Sequence, residues 1–189
     1  MHKGWHSRGY LPHFDEPNLI QGITFRLNDS LPAHVLEELN NDPKWHEGRQ
    51  KRNQLEKWLN SGYGECHLNN SKIATELEQI LFNKDGEHYH LIAWVIMPNH
   101  VHVLAQIIEG FPLHKTIQAW KSISAHYANL VLKRDGRFWY PDYFDRFIRN
   151  ERHFERSIRY IHHNPVAAGL VESAEDWRFT SARLWKNKL

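Results

Sequence analysis

The chain has a single cysteine, Cys66, among its 189 residues. That excludes an intramolecular disulfide and any thiolate cluster, so a bound metal would rest on nitrogen and oxygen donors. Long apolar runs are missing too. None approaches the ~20 residues of a membrane helix, and the opening MHKGWHSRGY has no signal-peptide core. The expectation is a cytoplasmic chain that does not engage a membrane. An excess of one charge is also absent: 24 Lys and Arg against 22 Asp and Glu leave a formal +2. That sum neither requires nor forbids nucleic-acid binding, because the distribution of the cations decides it. Repeats and low-complexity linkers are not found. What the chain does have is 41% hydrophobic residues and eight tryptophans, the composition of a folded globular protein. At this length one domain over residues 1–189 is expected, with a substantial core.

Along the chain, NLIQGITFRL (Asn18 to Leu27) is β-branched and partly alternating, and reads as a strand. NDSLPAHVLEELNN follows as a helix with Ser30 as its cap and Pro32 near the first turn. KWHEGRQKRNQLEKWLNSGYG reads as helical to about Asn60 and breaks at Gly62 and Gly64. NNSKIATELEQILF places Ile73, Leu77, Ile80 and Leu81 at helical spacing. HYHLIAWVIM and HVHVLAQII, separated by Pro98 and Asn99, form a tight hairpin. A helix with Ile117, Trp120, Tyr127 and Val131 along one side comes next, then the aromatic, partly extended GRFWYPDYFDRFIR. NERHFERSIRYIHH is a helix capped by Asn150 and stopped by Pro165, because the residue before a proline avoids helical geometry. The end, DWRFTSARLWKNKL, reads as basic and irregular.

Chemistry concentrates in two of these segments. On a strand, residues i and i+2 share a face, so His100 and His102 project side by side from WVIMPNHVHVL. Two neutral imidazoles on one rigid face are half of a metal site. Alone, such a pair also occurs in cupins, in zinc hydrolases and as a chance pair of strand neighbours. In the helix before Pro165, Phe154, Ile158 and Ile161 form a core-facing stripe. Tyr160 and Asn164, four residues apart, stack at its border, with Arg152, Arg156, Arg159 and His163 on the polar side. If this helix crosses the histidine strand, His100, His102 and the Asn164 oxygen can hold a divalent cation. Tyr160 is then placed to attack a phosphate as a covalent nucleophile. Each residue has a plainer role as well: core-edge aromatic, helix stop, solvated arginine face. The combination carries the reading.

MPNHVHVL resembles the His-hydrophobic-His motif of the HUH endonucleases, and RYIHHNPVAAGLV resembles the tyrosine helix of single-tyrosine transposases, the REP-associated tyrosine transposases above all. WKSISAHYAN, RFWYPDYFDRFIRNERHF, EDWRFTSAR, RGYLPHFDEPNLIQGITFRL and GECHLNN are similar to the same group, so the likeness runs from about Gly9 to Arg183. The resemblance implies an α+β fold, an antiparallel sheet flanked by helices and ferredoxin-like in plan, with the histidines on a central strand. It implies Mg2+ or Mn2+, single-stranded or hairpin DNA as partner, and DNA transposition by nicking and strand transfer through a 5′-phosphotyrosine. On this chain Tyr160 is then the nucleophile, and His100, His102 and Asn164 are the metal ligands. Lys121, Arg146, Arg149, Arg152 and Arg156 are the candidate DNA contacts. The second tyrosine of two-tyrosine relatives would fall one turn beyond the first, where this chain has Asn164. A monomer or a homodimer would suit the resemblance equally.

Residues 40–64 look like a helical insertion carrying RQKR (Arg49 to Arg52), and 184–189 like a basic tail. Tyr140 and Tyr143 are rival nucleophiles without a ligand one turn away, and read as packing or base-stacking residues. Two other functions stay open on these residues. One is a domesticated hairpin-binding protein without cleavage, which would have no use for all four site residues. The other is a metal hydrolase in which water, not Tyr160, attacks.

Overall fold

The computed structural model describes residues 4–7, 12–41 and 48–186. The Arg49, Lys51 and Arg52 side chains of the RQKR segment, and residues 187–189 of the basic tail, lie outside the described residues. Strands β1 (Gly4–Ser7) and β2 (Pro12–Asp15) pair antiparallel as a small hairpin that the sequence pattern does not announce. β3 (Ile20–Arg26) leads through helices α1 (Ala33–Asn41) and α2 (Gly48–Asn60) to α3 (Ser71–Phe82). Then come β4 (Tyr89–Ile96), β5 (His100–Ile107), α4 (Leu113–Leu132), β6 (Phe144–Phe147), α5 (Glu151–Ala167) and the short α6 (Ala182–Trp185). The main sheet is antiparallel with order β4-β5-β3-β6. The path β3-α3-β4-β5-α4-β6 through that order is the expected ferredoxin-like plan, and β5 is an interior strand. No helix among the described residues is long and apolar enough to cross a membrane.

Alternation divides each strand between two packed faces. Ile23 and Phe25 of β3 and Val101, Val103, Ala105 and Ile107 of β5 face α3 and α4, where they meet Ile73, Leu77, Leu81, Ile117 and Trp120. Inside this layer the Trp120 indole donates to the Tyr89 hydroxyl at 2.9 Å, which donates to the Leu81 carbonyl at 2.9 Å. The opposite face carries α5. Ile158 and Ile161 lie on Ala93, Val95, Met97 and Leu104, as the apolar stripe on that helix requires. The hairpin between β4 and β5 closes over Pro98 and Asn99 with the Met97 N–H donating to the His100 carbonyl at 2.9 Å. The sheet therefore starts its histidine strand directly after a two-residue loop.

Three local expectations are corrected. Ser30 does not cap α1. Its hydroxyl donates to the Leu27 carbonyl at 2.8 Å and accepts from Arg26 at 3.1 Å, so the oxygen is used before the helix begins. Pro165 does not stop α5, which runs on to Ala167 with Asn164 in helical conformation. A proline removes one N–H but still accepts: the Pro165 carbonyl takes the Leu170 N–H, and the stop is Gly169, at φ 69°. The segment after Trp177 is not irregular. Ile96 N–H donates to the Phe179 carbonyl and Ser181 N–H to the Trp94 carbonyl, covering the outer edge of β4 that would otherwise stand unpaired.

The expected break after α2 is present and has a steric cause. Gly64 sits at φ 84°, and a Cβ there would lie 2.6 Å from the Asp29 carbonyl oxygen. Only glycine permits this approach, which the Glu65 N–H secures by donating to the Asp29 carboxylate at 2.9 Å.

Candidate metal and nucleophile site

His100 and His102 open β5 on the face that carries α5, and both are almost completely buried. Their rings stand edge to face with centroids 4.8 Å apart. Burial holds the His102 imidazole down at about 3, and burial with the neighbouring ring pushes that of His100 well below its ordinary value. Both are therefore neutral near pH 7, the state a metal ligand needs. Each is fixed through Nδ1. The His100 Nδ1–H donates to the Asn99 Oδ1 at 2.7 Å, and the His102 Nδ1 shares a hydrogen with the Thr24 hydroxyl at 2.8 Å. Thr24 lies directly across from His102 in the β3–β5 register. The outer nitrogen of His102, Nε2, is buried with no hydrogen-bond partner. A buried lone pair left without a partner is costly in a dry site and natural in a metal ligand, and the Nδ1 partners supply the support that metal-binding histidines have.

α5 brings the second half. The Tyr160 ring meets His102 edge to face at 5.4 Å and is 39% exposed, so it borders both the histidines and solvent. Asn164, one turn on, is buried. Its Nδ2 donates back to the Tyr160 carbonyl at 2.9 Å, which turns Oδ1 away from its own helix. The contact that Oδ1 does receive is a long one, 3.5 Å from the Asn60 Nδ2 at the end of α2. No three His, Cys, Asp or Glu side chains gather as a metal site among the described residues. A cation held here would take two imidazoles and one carboxamide oxygen, a mixed nitrogen and oxygen donor set that leaves further positions open.

The candidate DNA contacts divide. Arg149, just before α5, and Arg152 and Arg156, in its first two turns, are exposed, and Arg149 leans over the Phe147 ring at 5.5 Å. Arg146 is paired with Gly22 in the β3–β6 register, on the same face of the sheet as His102. Lys121 stands apart on α4. Its ammonium donates to the Tyr140, Pro141 and Asp142 carbonyls at 2.7, 2.9 and 3.3 Å, tying down the loop before β6. The rival tyrosines are packed, as expected. Tyr143 is buried against His13 with ring centroids 4.3 Å apart, and the Tyr140 ring lies 3.6 Å under the Arg26 guanidinium.

Sequence reasoning missed Thr24, Asn99 and Asn60. Asn99 stands inside the histidine motif itself, and Thr24 follows once the strand register is known; Asn60 carried no local signal. It also missed a buried cluster beneath β6, in which His13 is held between Asp142, at 3.0 Å, and Asp145. Burial opposes the charge on His13, but the two carboxylates overcome it and lift its pKa to about 9. This cluster joins β2 to β6 and steadies the sheet edge that presents Arg146.

The model of the family described as "Transposase IS200 like" matches residues 63–164, just over half the chain. A REP-associated tyrosine transposase of Escherichia coli is 27% identical over 98 residues, covering 52% of this chain and 57% of that protein. A putative REP-associated tyrosine transposase of Haemophilus influenzae is 28% identical over 112 residues, covering 53% of this chain and 64% of the relative. The match thus spans less than two thirds of either curated relative. A solved REP-associated tyrosine transposase bound to a REP hairpin superposes with a TM-score of 0.62 over 96% of this chain and 87% of the other, at 16% identity, which shows a shared fold. The span matched by the family model begins at Tyr63 and ends at Asn164, so it holds the histidine strand and the tyrosine helix together, and by that match the chain belongs to the IS200-like transposase family.

Proposed function

We propose that this chain nicks and rejoins single-stranded DNA at hairpin-forming sequences, with Tyr160 as nucleophile, as one HUH-type domain in which residues 40–64 are an insertion. The observation that carries the reading is the pairing of two buried, neutral imidazoles with a half-exposed phenol 5.4 Å from one of them. His100, His102 and Asn164 would hold Mg2+ or Mn2+. When bound, such a cation stabilises negative charge on phosphate oxygens as a Lewis acid. Asn99 and Thr24 keep the imidazoles aimed, and Asn164 keeps its oxygen turned outward through its bond to the Tyr160 carbonyl.

In the nicking step the Tyr160 oxygen bonds to phosphorus while the bond from phosphorus to the 3′ oxygen breaks. The phenol proton passes to solvent at the exposed ring, and the leaving 3′ oxygen takes up a proton to become a hydroxyl. The product is a 5′-phosphotyrosine with the rest of the strand attached. Attack by a 3′-hydroxyl on that phosphorus reverses the linkage and joins strands. Arg146, Arg149, Arg152 and Arg156 would neutralise backbone phosphates beside this centre. A pair of relatives named for REP-associated transposition, and a shared fold with one bound to a REP hairpin, support a hairpin as the DNA partner.

The test is a denaturing gel with labelled hairpin oligonucleotides from the gene's own flanks, in Mn2+, comparing wild type with Tyr160→Phe and His100→Ala/His102→Ala. A covalent protein–DNA band lost in both variants is expected. Cleavage that survives Tyr160→Phe would instead make water the nucleophile, and binding without cleavage by wild type across several hairpins would leave only a recognition function.

A further inference from the structure

The helix that separates this chain from a minimal ferredoxin-like core ends against both halves of the site. Asn99, which accepts the His100 Nδ1–H, donates its own Nδ2 to the carbonyls of Leu59, at 3.2 Å, and Tyr63, at 3.0 Å. Those two carbonyls flank Asn60, the last residue of α2. Asn60 in turn points its carboxamide at Asn164 on α5, Nδ2 to Oδ1 at 3.5 Å. Its own Oδ1 is buried and has no hydrogen-bond partner. Among the described residues, the site histidine and the carboxamide beside Asn164 each carry a buried acceptor without a partner, the His102 Nε2 and the Asn60 Oδ1.

We propose that Asn60 is a fourth protein donor to the cation, its side-chain oxygen completing a site of two imidazoles and two carboxamides. This rests on the metal site proposed above. A half-turn of the carboxamide exchanges its two ends, and would set Oδ1 where Nδ2 now lies, 3.5 Å from the Asn164 oxygen. Oxygens bound to one Mg2+-sized ion at about 2.1 Å stand about 3 Å apart when adjacent and about 4 Å apart when opposite, which brackets that separation. The exchange gives up one long hydrogen bond and turns toward the cation an oxygen that has no partner where it now lies. It also assigns α2 a function: the helix is anchored on the hairpin loop through Asn99 so that one side chain reaches the metal.

The test is Mn2+ binding to the full chain without DNA, read from the loss of the free-ion electron paramagnetic resonance signal. Wild type is compared with Asn60→Ala, Asn60→Asp and His100→Ala/His102→Ala, and the fold of each is checked by thermal melting without metal. Asn60→Ala should weaken binding by about tenfold or more. Asn60→Asp, which offers a carboxylate oxygen in place of the amide, should bind at least as tightly as wild type and more tightly than Asn60→Ala. If Asn60 merely oriented Asn164 through its N–H, Asn60→Asp would lose the donor and bind as weakly as Asn60→Ala, which overturns the proposal. So does wild-type affinity in both Asn60 variants while the double-histidine variant has lost binding. Absence of Mn2+ binding by wild type, or binding that survives loss of both histidines, would refute the underlying metal site instead.

Discussion

Asn99→Ala should damage stability and metal binding together, because one buried carboxamide serves both. Its Oδ1 accepts from His100 at 2.7 Å, and its Nδ2 donates to the Leu59 and Tyr63 carbonyls at 3.2 and 3.0 Å. Alanine removes three hydrogen bonds, each contributing about 0.5–1.5 kcal/mol net, so the loss is about 2–4 kcal/mol. For a chain of this size each kcal/mol moves the melting temperature by about 2–4 °C, giving a fall of roughly 5–15 °C. Freed from its acceptor, His100 can turn or change tautomer, and loss of such a partner weakens metal binding by about 10–100-fold. Asn99→Asp separates the two effects. It keeps the acceptor for His100, and so should keep Mn2+ affinity, but it sets an oxygen against two carbonyls and should melt at least as early as the alanine variant. Differential scanning calorimetry without metal and Mn2+ titration measure the two quantities. An Asn99→Ala protein that melts like wild type and binds Mn2+ like wild type would refute the reasoning, as would equal loss of affinity in both variants.

Two further outcomes follow from charge. His100 and His102 have depressed pKa values, so between about pH 6.5 and pH 4 the unfolded chain binds protons that the folded chain refuses. Stability should fall as pH drops through that window, by about 1.4 kcal/mol per pH unit for each histidine. His13 has the opposite sign, since its pKa is raised to about 9: its contribution is complete below about pH 6.5 and should be lost as pH rises toward 9. Urea midpoints across pH 4 to 9 should therefore peak near pH 6.5, and a flat acid limb would contradict the burial of the two imidazoles. Removing Arg149, Arg152 and Arg156 together should weaken single-stranded DNA binding. The dependence of log affinity on log salt should flatten by about 0.7 for each phosphate that is no longer neutralised. An unchanged slope would leave those arginines as a solvated face.

Much of this site was legible because it is built from local patterns. Alternation set His100 and His102 on one face, helical spacing set Tyr160 beside Asn164 and Ile158 beside Ile161, and the polar Asn150 marks the helix start it caps. What escaped depends on contacts that sequence spacing does not encode. His13 reaches Asp142 and Asp145 across more than a hundred residues, and Asn60 meets Asn164 across a similar span. Phe179–Ser181 reads as a loop because its hydrogen bonds belong to β4, far earlier in the chain. Pro165 misled for a different reason. The penalty on its predecessor is a preference, and α5 overrides it because Ile158 and Ile161 are already pinned to the sheet and Gly169 offers a better end.

A covalent bond between Tyr160 and DNA can be located on the chain itself. Trypsin would release Tyr160 in the peptide Tyr160–Arg178, where it is the only tyrosine, while Tyr140 and Tyr143 fall together in Phe138–Arg146. Mass spectrometry of the digested protein–DNA adduct, after nuclease trimming, therefore assigns the attachment directly. A nucleotide-phosphate mass addition on Tyr160–Arg178 that requires Mn2+ and both histidines is expected. An adduct on Phe138–Arg146, or cleaved DNA with no modified tyrosine peptide, would contradict it.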